Sequence, residues 1–251
     1  MILSPLNSMN TDNKRYLDKK KEAWKIFDSI FERYDILNHI LSFGQDFLWR
    51  KRITRVLTDR KDIRLLDIAT GTCDVLIDFL KSRDNDNVFA CGMDMSLNML
   101  KYGEKKLFKH KFKSKWSLFR SDANLLPLHD NEFNVVTISF GIRNMTNPQT
   151  TLKEMHRILD PGGEVVILEF SLPANIIIKK LHLFYLRIFI PFLGRIISGN
   201  FGAYKYLNKT IETFPYGEKF IDIMKKAGFS NCSRKPMTFG AVTLYRGKKV
   251  K

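Results

Sequence analysis

The stretch Leu65-Leu-Asp-Ile-Ala-Thr-Gly-Thr-Cys-Asp74 decides the fold of this chain. It opens with an apolar run of the length typical of a central parallel strand, and apolar residues at helical spacing follow in 75–80. Gly71 can adopt backbone angles closed to other residues and lets a ligand approach the main chain. Asp67 and Asp74 place acceptors at either end of the turn. This order predicts a small-molecule site, against the alternative of an ordinary strand-to-helix loop.

Two further acidic residues end the elements that follow. Asp94 closes the apolar run Val88-Phe-Ala-Cys-Gly-Met-Asp94, about 20 residues after the glycine turn, where an acid in dinucleotide-type folds accepts hydrogen bonds from ribose hydroxyls. Asp122 ends a third element, which begins at Leu118. Its carboxylate there suits an acceptor for the exocyclic amine of adenine. The sequence therefore predicts a nucleoside ligand.

The chemistry of the three acids distinguishes between nucleoside cofactors. Asp67, Asp94 and Asp122 are expected in one crevice, and the chain contains no Gly-x-Gly-x-x-Gly pattern. The pyrophosphate of NAD prefers hydrogen-bond donors and positive charge, whereas a sulfonium tolerates nearby carboxylates. We therefore predict S-adenosylmethionine and methyl transfer, with a nicotinamide dehydrogenase as an alternative.

Strand and helix patterns alternate along the rest of the chain. A fourth strand is predicted at Phe133–Phe140 and a fifth at Glu164–Phe170, with a helix between them that starts at Asn147-Pro148 and stops at Asp160-Pro-Gly-Gly163. Such alternation predicts an α/β fold with a mostly parallel sheet and helices on both faces. In these sheets the end of the fourth strand faces the crevice, which places Ser139, Arg143 and Asn144 beside the cofactor.

The tail returns to the same core. A helix is predicted over Tyr216–Ala227 and closed by Gly228, followed by strand-like runs at Ser230–Lys235 and Thr238–Arg246. These two runs are expected to form a closing antiparallel pair.

A helical cap is predicted before the core. The cap covers residues 1–58 and the cofactor-binding domain 59–251. Tyr34, Phe43 and Trp49 give the cap an aromatic density that suits a hydrophobic substrate pocket, although each of them singly can equally serve to pack the cap down.

The segment Ala174–Ser198 differs from the elements around it. It is apolar but interrupted by basic residues and proline, so a membrane span is not expected. A basic amphipathic segment lying on lipid, a lid around a greasy ligand and a buried helix pair all remain open. We place this insert at about residues 173–214 of the domain.

Composition restricts the partners and the compartment. The net charge of +16 favours anionic partners, either nucleic acid or an anionic membrane surface, although lysine runs also occur on ordinary solvated faces. Three cysteines without metal or disulfide spacing predict a reduced cytoplasmic protein and no metal.

Three longer motifs give the chain a family resemblance. They are Tyr34-Asp-x-x-Asn38 through Leu41-Ser-Phe-Gly44 to Trp49, Ile138-Ser-Phe-Gly-Ile-Arg-Asn144, and Arg157-Ile-Leu-Asp-Pro-Gly-Gly163 through Leu168-Glu169-x-Ser171. With them the chain resembles the ubiquinone/menaquinone biosynthesis C-methyltransferases from about Phe27 to its C-terminus. The resemblance implies a Rossmann-like class I methyltransferase with a seven-stranded sheet.

The resemblance also implies roles for single residues. Arg143 and Asn144 match the active-site pair of the family, and cofactor contacts are implied at Thr72, Asp94, Asp122, Ala123 and Ser139. The residues themselves add Asp67 and Gly71 of the turn as predicted cofactor contacts. Substrate contacts are predicted in the aromatic cap, at Tyr34, Asn38, Phe43 and Trp49.

Two positions depart from the family pattern. Cys73 stands where the family usually has a glycine in the cofactor turn, and Asp46 stands where it usually has a histidine. Cys73 puts a side chain near the closest backbone approach, which is expected to weaken cofactor binding. Asp46 places in doubt any role of that histidine in this chain.

The activity implied is methylation of a ring carbon of a polyprenylated quinol, demethylmenaquinol first and a benzoquinol as the alternative. The expected partners are this quinol and an anionic membrane, with the protein peripheral on its inner face and no nucleic acid bound; a homodimer is compatible with the sequence.

A nucleic-acid methyltransferase is the first rival, but the Asn/Asp-Pro-Pro-aromatic element expected after the fourth strand is replaced by Ser139-Phe-Gly-Ile-Arg-Asn144. A non-catalytic membrane-binding module is the second.

Overall fold

The computed structural model describes residues 20–57, 62–83, 87–192 and 201–250. Parts of the predicted cap and of the Ala174–Ser198 segment, including Arg195, lie outside these residues.

Seven strands form one sheet within the described residues. They are β1 Ile63–Ile68, β2 Val88–Asp94, β3 Lys115–Arg120, β4 Phe133–Ser139, β5 Leu159–Phe170, β6 Ser230–Met237 and β7 Val242–Lys248. Their spatial order is β3-β2-β1-β4-β5-β7-β6. β1 to β5 are parallel, and β7 lies antiparallel between β5 and β6. The order reverses between β1 and β4, so a crevice opens at the carboxyl ends of these strands.

The helices lie on both faces of the sheet or cover its crevice end. They are α1 Ala23–Leu41, α2 Gln45–Val56, α3 Asp74–Ser82, α4 Leu97–Phe108, α5 Pro148–Ile158, α6 Ile176–Phe184, α7 Phe201–Thr213 and α8 Glu218–Lys226. Short 3-10 turns occupy Ile142–Asn144 and Thr238–Gly240, and a π-helical turn continues α6 over Tyr185–Phe189.

Alternate residues of β1 belong to two separate hydrophobic cores. Leu66 and Ile68 face the core completed by α5 and α8, whereas Ile63 and Leu65 face the core completed by α2, α3 and α4. Successive side chains of a strand point to opposite faces, so a strand covered on both sides must be apolar at nearly every position. This burial explains why the run at 65–69 shows no polar alternation.

The boundaries of α5 follow from its local sequence at one end only. The Asn147 side chain accepts hydrogen bonds from the backbone N–H of Gln149 and Thr150, and Pro148 occupies the first turn, so the predicted start is confirmed. The helix ends at Ile158, and the predicted stop at Asp160–Gly163 instead forms the beginning of β5. Leu159 pairs with Phe133, and regular pairing resumes after a bulge at Glu164.

The closing antiparallel pair is confirmed as β6 and β7. The second strand starts at Val242 rather than Thr238, because Thr238–Gly240 turns before the strand begins.

Two carboxylates of α1 tie the cap to the core. Asp28 accepts hydrogen bonds from the Ser96 hydroxyl (2.5 Å) and the Asn98 side chain (2.9 Å) at the start of α4. Two helical turns further on, Asp35 accepts from the Thr72 hydroxyl at 2.6 Å and from Lys106 Nζ at 2.7 Å. The spacing of seven residues puts both acids on the same side of α1. The cap is therefore fixed over the cofactor turn.

A third apolar cluster joins the cap to the predicted insert. Its buried members are Leu37, Leu172, Leu186, Ile190 and Ile211. The helices that follow β5 in the chain thus pack on α1, and together they close the space at the crevice end of the sheet. Among the described helices, none combines the length and apolar composition needed to cross a bilayer.

Candidate active site

The glycine turn between β1 and α3 faces a cavity. Gly71 has φ +55°, in the left-handed region, and its N–H donates to Asp94 Oδ2 at 2.9 Å. The other oxygen of Asp94 accepts from the Ser96 N–H at 2.8 Å. Removal from water raises the pKa of Asp94 above its ordinary value. The carboxylate is thus held at the crevice by two backbone donors and keeps acceptor capacity for a ligand.

This cofactor cavity has a volume of about 220 Å³. Its wall consists of strand ends from the sheet together with the first turns of the cap. Five of the predicted cofactor residues line it: Gly71, Asp94, Asp122, Ala123 and Ser139.

Asp67 and Thr72, by contrast, lie outside the wall of the cofactor cavity. Asp67 is 1 % exposed and accepts a hydrogen bond from the Thr137 hydroxyl of β4 at 2.6 Å. Burial raises its pKa to about 6. The Thr72 hydroxyl donates to Asp35 of α1. This differs from the prediction, because Asp67 lies inside the strand with its side chain against β4, and Thr72 turns toward the cap. Asp67 and Thr72 therefore hold the turn in place through contacts with β4 and α1.

Asp74, the other acid predicted at the turn, also serves the framework. It pairs with Lys106 Nζ at 2.5 Å and lies 3.5 Å from the Arg50 guanidinium. It lines neither the cofactor cavity nor its neighbour described below.

Cys73 adopts the conformation that the family's glycine would favour. Its φ is +65°, and the residue is fully buried. The Sγ atom packs against Gly103 of α4, where an added Cβ would collide with it. Burial raises the pKa of the thiol, so it is uncharged at neutral pH. The side chain points away from the cofactor cavity, and the expected obstruction at the closest backbone approach is not seen in its wall.

Sequence reasoning did not identify two lysines of the cofactor cavity. Lys20 and Lys21, just before α1, line it, and Lys20 Nζ donates to the Met145 carbonyl at 3.3 Å. Burial lowers the pKa of Lys20, and the neighbouring Arg143 charge acts in the same direction. The single signal in the sequence was a lysine run of a kind common on solvated surfaces.

A second, apolar cavity of about 290 Å³ adjoins the first. Four residues line both: Phe27, Tyr34, Phe140 and Asn144. The walls of this apolar cavity come from α1, α2, the ends of β4 and β5, and the helices after β5. All four predicted substrate residues, Tyr34, Asn38, Phe43 and Trp49, line it, as do Arg143 and Asn144. The tertiary structure therefore brings these six residues together.

Trp49 both packs the cap and forms cavity wall. Its indole N–H donates to the Thr238 hydroxyl at 2.8 Å, and its ring centroid lies 5.8 Å from that of Phe140 and 6.3 Å from that of Phe170. Trp49 therefore packs the cap and also lines the apolar cavity. Burial raises the pKa of Tyr34 at the junction, so its hydroxyl remains protonated at neutral pH.

Arg143 is held by several contacts in the wall of the apolar cavity, next to Asn144. Its NH1 group donates to Glu169 Oε1 at 2.8 Å and to the Phe140 carbonyl, and its backbone N–H donates to Glu169 Oε2 at 3.2 Å. The guanidinium carbon lies 5.0 Å from the centroid of the Phe170 ring. Arg143 is 4 % exposed and Glu169 is fully buried. The guanidinium is therefore oriented, and its charge is offset by a carboxylate.

Glu169 was not predicted as a site residue. It belongs to the Leu168-Glu169-x-Ser171 motif, and an acid at the end of a buried strand was the available signal. A buried carboxylate requires a cation, and Arg143 was already expected at the neighbouring strand end.

Several polar atoms of the two cavities have no hydrogen-bond partner within the described residues. They are Ser139 Oγ, Arg143 Nε, Asn144 Oδ1 and, on α6, His182 Nε2. Buried polar groups are nearly always paired, so atoms of this kind beside cavities indicate where ligands make hydrogen bonds. Burial lowers the pKa of His182, which is consequently neutral at pH 7. Sequence reasoning noted His182 merely as an interruption of an apolar run.

The sheet order, the glycine turn and the acids at the strand ends define a class I S-adenosylmethionine-dependent methyltransferase. A solved S-adenosylmethionine-dependent methyltransferase from Thermotoga maritima, described as a possible histamine N-methyltransferase, has the same fold with a TM-score of 0.60 and 19 % identity. The match covers 90 % of this chain and 99 % of that one. The predicted fold class is confirmed.

The chain belongs to the ubiE/COQ5 methyltransferase family, whose model matches residues 14–249. It is 37 % identical over 232 residues to the ubiquinone/menaquinone biosynthesis C-methyltransferase UbiE of Geotalea daltonii, covering 92 % of this chain and 98 % of the relative. A demethylmenaquinone methyltransferase of Bacteroides fragilis is 37 % identical, with 92 % and 94 % covered. The predicted family, the enzyme class and S-adenosylmethionine as cofactor are thereby confirmed.

The cofactor cavity fits this cofactor. Asp94 and Asp122 present carboxylate oxygens, Ser139 presents an unpartnered hydroxyl, and Gly71 leaves the main chain without a Cβ. Hydroxyls and an amine of the nucleoside require acceptors, and the sulfonium is compatible with acidic neighbours.

Proposed function

We propose that this enzyme transfers the methyl group of S-adenosylmethionine to a ring carbon of a polyprenylated quinol. One observation carries the proposal: an apolar cavity meets the cofactor cavity at Asn144, which borders both, and Arg143 lines the apolar cavity beside it, each with a polar atom that has no partner within the described residues. The names of the relatives fit quinone biosynthesis as its context. Demethylmenaquinol is the first candidate acceptor, and the equivalent benzoquinol is the second.

The reaction needs little beyond orientation and control of charge. S-adenosylmethionine, when bound, supplies an electrophilic methyl group on a positively charged sulfur. Transfer forms a carbon–carbon bond at the ring, breaks the methyl–sulfur bond so that its electron pair stays on sulfur, and releases one proton from the substrate. A charge on the reacting groups disappears during transfer, so a dry apolar cavity favours the reaction.

Arg143 is placed to make the ring carbon nucleophilic. The carbon gains electron density when the adjacent hydroxyl shares or loses its proton, and Arg143 stabilises the resulting oxyanion. NH1 is occupied by Glu169 and Phe140, which leaves the N–H groups of Nε and NH2 as donors for the substrate oxygen. Glu169 offsets the charge, so Arg143 acts as an oriented donor more than as a free cation. Asn144, which borders both cavities, orients the ring.

A direct assay tests this function. The purified protein is incubated with methyl-labelled S-adenosylmethionine and reduced demethylmenaquinol or demethylated benzoquinol of equal prenyl length, and the products are analysed by mass spectrometry. We expect label on the ring carbon and the higher kcat/KM for the naphthoquinol. The reverse ratio would reassign the acceptor to the benzoquinol, and absence of methylation with both would reject the proposal.

We also propose that the enzyme reaches its substrate at an anionic membrane. The helix α6 and the following turn expose a row of large apolar residues, namely Ile176, Ile177, Leu181, Phe184, Ile188, Phe189 and Phe192. The corner between α1 and α2 exposes Phe43, Phe47 and Leu48. The Phe43 ring lies 5.8 Å from Tyr185, whose hydroxyl donates to the Leu41 carbonyl at 2.6 Å. We call these ten exposed residues the docking face.

Lipid is the occupant that suits the docking face. Phe43 and Tyr185 also line the apolar cavity, so the docking face adjoins the route by which a prenyl tail would leave it. Lys179 and Lys180 lie on the same helix, and cations there attract an anionic bilayer. Arg187, which the sequence grouped with them, pairs with Glu212 at 2.6 Å and is therefore less available for lipid phosphates.

Vesicle co-sedimentation tests the docking face. We expect binding to anionic vesicles that weakens with salt, and weaker binding of a Lys179→Gln/Lys180→Gln variant and of a Phe184→Ser/Ile188→Ser variant. A Lys225→Gln/Lys226→Gln variant on α8 is the matched control for charge. Equal binding by the docking-face variants and the parent would reassign Ala174–Ser198 to an internal lid.

A further inference from the structure

A polar cluster centred on Asp46 lies in the wall of the apolar cavity. Asp46 Oδ1 accepts from the Ser42 hydroxyl at 2.7 Å, and Asp46 Oδ2 accepts from Arg50 NH2 at 2.7 Å and lies 2.6 Å from His39 Nδ1. Ser42, Asp46 and Arg50 line the cavity, whereas His39 lies behind them. The cluster is thus a carboxylate held by three neighbours.

Asp46 is the single carboxylate that lines the apolar cavity in the described part of the chain. Its residue is 3 % exposed. Burial opposes its ionisation, but the hydrogen bonds from Ser42 and His39 and the Arg50 charge hold the pKa of Asp46 below its ordinary value. It is therefore an ionised acceptor at neutral pH. A carboxylate has about four acceptor sites, and three of them are taken by Ser42, Arg50 and His39, so one remains for a donor on the substrate.

The cluster changes how the departure at position 46 is understood. The family resemblance implied a histidine at this position, and its replacement by Asp46 placed an imidazole function in doubt. The imidazole of His39, one helix earlier, contacts the Asp46 carboxylate and stacks on Phe47 with a centroid distance of 4.2 Å. An imidazole and a hydrogen-bonding partner are thus both present, with the carboxylate facing the cavity.

Other charged groups surround the pair. Arg50 also lies 3.5 Å from Asp74 at the start of α3, and Lys106 of α4 bridges Asp74 and Asp35, one turn before His39 on α1. This network fixes the direction of Arg50 and, through Arg50, the orientation of Asp46.

A quinol has two hydroxyls on opposite sides of its ring, and one anchor at Arg143 and Asn144 accounts for one of them. We propose that Asp46 accepts a hydrogen bond from the second, remote hydroxyl, and that His39 is a positioning residue that orients the Asp46 carboxylate. This inference rests on the proposed quinol substrate. It gives the cavity two polar anchors, which fix the ring rotation and so determine which carbon faces the methyl group.

The test compares the activity of each protein on two substrates. The first is the prenylated quinol, and the second is the naphthol analogue that lacks the remote hydroxyl. The parent should lose roughly 10- to 100-fold in kcat/KM on the analogue, the size expected for one hydrogen bond to a charged acceptor. Asp46→Ala and Asp46→Asn should lose a similar factor on the quinol, and Asp46→Ala should then distinguish the two substrates by less than about threefold.

Positioning by His39 is tested in the same assay. His39→Ala should reduce kcat/KM for the quinol by a smaller factor than Asp46→Asn, and His39→Asn should recover part of that loss because its side-chain amide can still donate to the Asp46 carboxylate. Asp160→Ala, which changes a half-buried acid of β5 that pairs with Arg64 outside the cavity, is the matched control and should keep the discrimination of the parent.

The outcomes separate this inference from the proposed function. A parent that methylates neither quinol would reject the function itself. A parent that methylates the quinol while Asp46→Ala still discriminates against the analogue as the parent does would reject the contact with Asp46 and leave the function standing. Asp46 would then have a structural role. In that case we expect all the Asp46 and His39 variants to lose cofactor affinity and melting temperature to the same extent.

Discussion

The cofactor cavity and the apolar cavity adjoin, yet they are built in different ways. The first is formed largely by strand ends that follow one another in sequence, with Gly71, Asp94, Asp122 and Ser139 each at the end of its own strand or in the turn beyond. The second gathers residues from the cap, the sheet and the helices after β5, which are distant in the chain. The first therefore depends on backbone topology, and the second depends on how separate segments pack.

The comparison predicts that variants of the two cavities affect different measurements. The largest expected effect is at Arg143, which belongs to the apolar side of the junction. Arg143→Ala should reduce turnover by roughly 100-fold or more, because an oriented donor at a developing oxyanion is lost, while the Kd for S-adenosylmethionine stays close to the parent value. Turnover on the quinol and calorimetry with the cofactor measure the two.

Arg143→Lys and Glu169→Gln sharpen this result. Lysine offers a point charge without the planar fork and should rescue only part of the turnover. Glu169→Gln keeps the shape of the Arg143 partner and should cost less turnover than Arg143→Ala. Normal turnover of the alanine variant would remove Arg143 from the mechanism.

Asp94 is the corresponding test on the cofactor side. Asp94→Ala should weaken S-adenosylmethionine by about 1.5 to 3 kcal/mol, because acceptors for two ribose hydroxyls are lost. Quinol KM at saturating cofactor should change little. Asp130→Ala, an exposed acid remote from both cavities, is the control for a general effect of charge. Unchanged cofactor affinity in a folded Asp94→Ala protein would contradict the placement of the ribose.

Asp67 tests the framework beneath the cofactor cavity through pH. Its folded-state pKa of about 6 lies above the value of an unfolded chain, so the folded state binds the proton more tightly. The associated stability is present below about pH 4 and is lost as pH rises through about 6, by about 2 to 3 kcal/mol. Asp67→Asn cannot ionise and should therefore become more stable relative to the parent by that amount between pH 4 and pH 7.

Denaturant unfolding of both proteins at several pH values measures this difference. The control is Asp160→Asn, which changes an acid at the surface end of β5. Its difference in unfolding free energy from the parent should not change between pH 4 and pH 7 as that of Asp67→Asn does. A stability difference between Asp67→Asn and the parent that is constant from pH 4 to pH 7 would show that Asp67 titrates normally.

The smallest expected effect concerns Cys73, which looked like a defect of the cofactor turn. Cys73→Gly should leave cofactor affinity unchanged and alter stability by no more than about 1 kcal/mol, because relief of the left-handed backbone is offset by loss of the buried Sγ contact. Gly103→Ala should destabilise the parent by about 1 to 3 kcal/mol and cost less in the Cys73→Gly background. Weaker cofactor binding by Cys73→Gly would indicate that the thiol supports the turn directly.

The local sequence pattern predicted the fold well where backbone geometry alone determines the structure. The strand at 65–68, the start of α5 at Asn147-Pro148 and the pairing of β6 with β7 follow from burial periodicity and capping chemistry. Boundaries failed where tertiary pairing overrode local signals. The turn-like residues at 160–163 join β5 because the neighbouring chain offers them hydrogen bonds, as in the Gly162 N–H to Lys249 carbonyl contact of 2.9 Å.

The sequence pattern by itself determined a mostly parallel α/β sheet, the glycine turn and the acids at the ends of β2 and β3, because alternation and strand ends are properties of local pattern, and the family resemblance supplied the class I fold. Only the tertiary structure decided which of the predicted acids line the cofactor cavity. Asp67 and Asp94 look alike in sequence, yet Asp67 bonds to Thr137 inside the sheet and Asp94 lines the cofactor cavity. The pairing of Arg143 with Glu169 and of His39 with Asp46 was likewise decided in three dimensions. A side chain's direction and partners depend on what packs against it, and that information is spread over segments that sequence reasoning takes one at a time.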